Sequence, residues 1–157
     1  MPTARYLGKS WPIKVIVDPN VKKMAIHFDT QHIVLVSNVA GEIDYNKALT
    51  KFYKQQAKKY IEKRLRHFQP MIRKKVKSFT IESSEKRWGS CNGMGELTFN
   101  WKLMMFPEAA IDYVVVHELC HLEHLNHDRS FWRLVGKLSP NYKDIMPILG
   151  TTKTRDL

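Results

Sequence analysis

The chain has 157 residues, 43% of them hydrophobic and 26% charged, with seven glycines and seven prolines. Those proportions supply a packed core and exclude collagen-like, low-complexity and disordered chains, and the length suits a single domain over residues 1–157. The net charge of +11 lies in the first half: residues 1–80 carry 17 Lys and Arg against five Asp and Glu, residues 81–157 nine against ten.

The longest apolar runs, such as Val114, Val115 and Val116, are far too short to span a bilayer, so no membrane partner is expected. Residues 1–10 lack the apolar stretch of a secretory signal. Two cysteines, Cys91 and Cys120, are too few for a disulfide framework and point to a reducing, cytoplasmic setting.

In chain order, the first forty residues predict a β-meander. Ile13, Val15 and Val17 alternate along one strand, Asp18, Pro19 and Asn20 supply a turn, Met24, Ile26 and Phe28 alternate along the next, and residues 33–36 form a short apolar run. From 44 to 67 the period changes to three- and four-residue steps through Leu49, Phe52, Tyr53, Ala57, Tyr60, Ile61 and Leu65, which predicts one long amphipathic helix ended near Pro70. Lys51, Lys54, Lys58, Lys59 and Arg66 fall largely on its opposite side, a solvated face or a dock for an anionic partner such as a nucleotide or nucleic acid. A strand is predicted over 79–83. A hairpin turn follows at 91–95, where the Asn-Gly step favours positive φ, and a strand at 97–101. A helix is predicted over 107–125, with Pro107 at its first position. Valine propensity argues against that helix, but the motif inside it requires one. Asp128 or Ser130 caps a last helix carrying Phe131, Trp132, Leu134, Val135 and Leu138.

Residues 117–121 read His-Glu-Leu-Cys-His, an H-E-x-x-H pattern. On a helix, His117 and His121 project from one face and bind one zinc ion through nitrogen, while Glu118 reaches a zinc-bound water as general base. A catalytic site needs a third protein ligand. His127, six residues after His121, has the metzincin spacing, and Asn126 in a left-handed conformation would end the helix near Leu125 and turn His127 back. His124 competes for the same role, but helical continuation carries it away along the axis. Zinc is favoured because nitrogen ligands beside a glutamate base suit hydrolysis: the ion lowers the pKa of water and polarises a carbonyl while Glu118 moves the proton.

These residues, with Arg87-Trp88-Gly89-Ser90-Cys91, the segment 97–101, the run 111–122, Asn126-His127 and Phe131-Trp132, resemble the YgjP-like metallopeptidases, kin of the SprT-like and WLM zinc peptidases. The resemblance covers nearly the whole chain. It implies an α+β, zincin-like fold, in which an N-terminal mixed sheet and a long backing helix support the H-E-x-x-H helix. It also supports His117, His121 and His127 as ligands and Glu118 as base. A peptide or protein substrate is the leading expectation. A metal-dependent hydrolase of nucleotides or other phosphoanhydrides, and a protease tethered to nucleic acid, are the alternatives. Arg87 either clamps an anionic group at a strand edge or belongs to a structural turn around a core Trp88. Tyr142, His124, Arg87 and Asn100 are the oxyanion candidates, Asp112 a supporting residue behind the ligands, and Met146 a core residue.

Overall fold

The computed structural model describes residues 2–39 and 41–150. Strand β1 (Thr3–Tyr6) forms a two-residue hairpin with β2 (Lys9–Val17), pairing Tyr6 with Lys9. Leu7 and Gly8 at its tip both have positive φ, 51° and 86°, the backbone a tight antiparallel turn of this kind requires. The tip is fastened to the far half of the chain: Leu7 N donates to Met104 O at 2.8 Å and Gly8 N to Met105 O at 3.1 Å.

The next two strands do not continue as a meander. β4 (Ile33–Ser37) inserts between β2 and β3 (Ala25–Phe28), parallel to β2 and antiparallel to β3, giving the order β1-β2-β4-β3. The reason lies in the side chains. β4 is an unbroken apolar run with Ile33, Val34 and Leu35 buried, which suits an interior strand covered on both faces. β3 alternates exposed and half-buried residues and suits an edge. The β3–β4 turn is held by the Asp29 carboxylate, which accepts from Gln31 N and His32 N.

Helix α1 (Tyr45–Phe68) begins where the Asp44 side chain accepts from Lys47 N at 3.1 Å and gives way to a tight turn at Gln69–Met71 containing Pro70. Its buried stripe is Ala48, Phe52, Tyr53, Ala57, Ile61, Leu65 and Phe68, close to the stripe predicted from periodicity, and Lys51, Lys54, Lys58, Lys59 and Arg66 are exposed. A second sheet has the order β5-β7-β6. β5 (Ser78–Glu82) runs parallel to β7 (Glu96–Asn100), and β6 (Gly89–Cys91) is antiparallel to it.

Helix α2 (Glu108–His121) starts after Pro107, which stands at the cap rather than at the first helical position, and ends at His121 rather than near Leu125. Val114, Val115 and Val116 are fully buried in it. A helix apolar all round is stable when every face is covered, and burial here outweighs the strand preference of valine. α1 backs it through a two-pronged ion pair, Arg64 Nε to Asp112 Oδ1 at 2.7 Å and Nη2 to Oδ2 at 3.0 Å. Asp112 therefore joins helices and does not support the histidines. α3 (Arg129–Leu138), capped by the Asp128 side chain, and the short α4 (Tyr142–Ile145) complete the α+β fold.

Asp112→Asn should lower folding stability by about 1 kcal/mol, the usual worth of a partly exposed charged pair, and leave metal affinity unchanged. Urea unfolding and a chelator competition check the two halves of that expectation.

Candidate metal centre

The i, i+4 spacing on α2 sets His117 and His121 on one face. The helix stops at once after His121, where Leu122 N returns to Leu119 O, and Glu123 N and His124 N both return to Cys120 O, at 3.0–3.1 Å. Asn126 is not the device that turns the chain: the non-glycine residues of positive φ among those described are Leu7 and Thr30. Tight backbone bonds at the helix end and the Asp128 cap do that work, and they bring His127 back over the helix.

The three rings converge. His127 Nε2 lies 3.2 Å from His117 Nε2 and 3.0 Å from His121 Nε2, and the three candidate ligand atoms all lie within 4.8 Å of one another. A tetrahedral ion with bonds of 2.0–2.1 Å would space its nitrogens by ~3.3–3.4 Å. Behind the rings, His117 Nδ1 lies 3.0 Å from Tyr113 Oη, and His121 Nδ1 donates to His124 O at 3.0 Å. A carbonyl only accepts, so His121 carries its hydrogen on Nδ1 and turns the Nε2 lone pair inward. Burial pushes the His121 pKa down, against the opposing hydrogen bond to His124, which keeps the ring in the neutral form that binds metals. Aromatic faces hold the rings laterally: Phe131 stacks on His121 at 4.4 Å and Trp132 on His127 at 5.9 Å.

Glu118 is fully buried, and neither carboxylate oxygen has a hydrogen-bond partner. It lies against β6 at Gly89, where a Cβ would come within 3.1 Å of both its Cγ and its Oε2. Burial pushes its pKa up to about 8, and the Arg87 charge pulls the other way. An orphaned carboxylate beside three convergent, neutral imidazole nitrogens fits a divalent ion with an activated water, and nitrogen donors with an oxygen base suit zinc.

The remaining candidates separate cleanly. His124 contributes its carbonyl and is not among the convergent rings. Asn100 is spent on structure, donating to Ser84 O and Arg87 O and accepting from Lys102 N, so it has no amide hydrogen for an oxyanion. Arg87 is paired with Glu82 at 3.0 and 3.2 Å, and Trp88 is a core residue whose Nε1 donates to Leu149 O. The structural reading of that segment holds. Cys120 is buried and Cys91 half-buried, both free thiols, and Met146 packs against the core. Tyr142 stacks on Trp132 at 5.3 Å. Tyr113 is the residue that sequence reasoning missed, although its position four before His117 on the same helix face was a usable signal.

The YgjP-like, metallopeptidase domain model matches residues 2–151. The chain belongs to the YgjP-like metallopeptidase family. It is thus a hydrolase of the metallopeptidase class, with a metal requirement that follows from the family. Among solved structures it is similar to the crystal structure of the metallopeptidase zymogen of Pyrococcus abyssi abylysin, with 26% identity and a TM-score of 0.52, over 58% of this chain and 92% of that one. No curated protein matches it. The zincin-like reading of the fold agrees with this likeness.

Tyr113→Phe should weaken metal binding about tenfold, the lower end of what loss of a supporting hydrogen bond does to a metal-ligating histidine, as read by chelator competition. In the metal-free protein, a buried Glu118 with a raised pKa binds its proton in the folded state and loses it in the unfolded state between about pH 4.5 and 8. Its contribution to stability therefore falls as pH rises through that window. Urea unfolding of metal-free wild type against Glu118→Gln should show the slope in the first and its loss in the second.

Proposed function

We propose that this chain is a zinc peptidase in which His117, His121 and His127 hold the ion and Glu118 is the general base. What carries the reading is the meeting of three imidazole Nε2 atoms beside a buried carboxylate with no partner of its own. Zinc held there supplies Lewis acidity, acidifying water and polarising the scissile carbonyl. Glu118, whose raised pKa suits it to exchange a proton near neutrality, removes a proton from the attacking water and returns it to the nitrogen of the departing amine. Tyr113 and the His124 carbonyl orient two of the rings. Gly89 leaves room for the Glu118 carboxylate under β6, which a larger residue there would displace.

The peptide or protein substrate follows from the family and agrees with the likeness to abylysin, itself a metallopeptidase zymogen. Phosphoanhydride hydrolysis gains no support, since its proposed anion clamp, Arg87, is neutralised by Glu82. The basic face of α1 reads as a solvated helix face. No described helix is long and apolar enough to cross a membrane. We assign residues 1–157 to one domain and the protein to the cytoplasm, consistent with the free thiols of Cys91 and Cys120.

Glu118→Gln should keep stoichiometric zinc and lose ~10²–10⁴-fold in peptide hydrolysis; a fully active variant would overturn the mechanism. Chelation should abolish cleavage and lower the melting temperature, and added zinc should restore both.

A further inference from the structure

Beside the metal centre lies a cleft of about 520 Å³ that shares His121 as a wall. Its floor includes Leu122, and Met94 and Leu125, 66% and 76% exposed, flank it. The opposite wall is the segment 73–77, which bridges the end of α2 and the β6–β7 turn. Four backbone contacts pin this strap. Arg73 N donates to Glu123 Oε1 at 2.6 Å, Lys74 O accepts from Gln69 Nε2 at 2.9 Å, Val76 N donates to Gln69 Oε1 at 3.0 Å, and Lys77 N donates to Gly95 O at 2.9 Å.

The pinned backbone presents Lys74 and Lys75 to the cleft, and neither forms an ion pair among the described residues. Two features oppose a bound anion. One is the Glu123 carboxylate, with one oxygen already accepting from Arg73 N; the other is the C-terminal end of α2, whose Leu119 and Cys120 carbonyls are closed by the next backbone N–H groups. Two unpaired ammonium groups outnumber one engaged carboxylate, and the apolar rim suits a methylene stem.

Building on the peptidase reading above, we propose that this cleft is a specificity subsite that takes an acidic side chain of the substrate peptide. Lys74 and Lys75 hold its carboxylate, and Met94 and Leu125 cover its stem. The subsite lies on the His121 side of the centre, so the acidic residue sits close to the scissile bond.

The test uses zinc-loaded protein and matched peptides, acetylated and amidated so that a side chain is their one carboxylate, with Glu, Ala or Lys scanned through positions around the cleaved bond. At one position, kcat/KM should favour Glu over Lys about tenfold, as two partly screened charge pairs allow. The preference should shrink in high salt and reverse in the Lys74→Glu/Lys75→Glu double variant, whose melting curve checks that it folds. Equal cleavage of the Glu and Lys series, an unchanged ratio in the double variant, or a preference confined to peptides with a free C-terminus would overturn the subsite while leaving the peptidase reading intact. Cleavage of no peptide at all would instead count against that reading. Peptide binding to the metal-free protein, followed at the Met94 and Leu125 methyl groups, separates the two: Glu peptides should shift these signals and Lys peptides should not, and equal shifts would again overturn the subsite.

Discussion

Bringing three imidazole nitrogens together at 3.0–3.2 Å is unfavourable when each points a lone pair at the others, and a shared cation turns that repulsion into binding energy. Much of this molecule enforces the convergence. α2 is buried on every side and cannot rotate to relieve it. The Tyr113 hydroxyl and the His124 carbonyl set the backs of two rings, and Phe131 and Trp132 brace the rings from the side. Such supporting contacts fix ring orientation and raise the basicity of the ligating nitrogen.

The same burial that locks α2 also strands Glu118. An unpartnered carboxylate in a dry site costs free energy, which the protein lowers by raising the pKa of the group. Stability and reactivity are thus linked at one residue: the environment that makes Glu118 unfavourable as a spectator suits it to proton transfer. Gly89 permits that environment, because only a residue without a side chain lets β6 approach so closely.

The metal-binding motif is readable from the sequence because it is local. His117, Glu118 and His121 are fixed by helical geometry, and the stripe of α1 by its period. His127 is reached by spacing, yet the chain turns through backbone bonds rather than through a left-handed Asn126. Spacing constrains where a side chain returns, not the path it follows. The supporting residues are harder to read. Asp112 has the chemistry to steady a ligand, but it faces α1 and Arg64, and the Asn100 amide is already engaged in three hydrogen bonds. The N-terminal sheet departs from a meander for a related reason: alternation marks strands, but whether neighbours in sequence are neighbours in the sheet depends on which strand is apolar enough to occupy the middle.

The zinc coordination of the purified protein, measured as stoichiometry together with X-ray absorption at the metal edge, tests the central claim most directly. The account predicts one zinc per chain with three imidazole nitrogens at about 2.0–2.1 Å and an oxygen neighbour. A protein that takes up no stoichiometric zinc, or whose zinc has sulfur neighbours from Cys91 or Cys120, would contradict it.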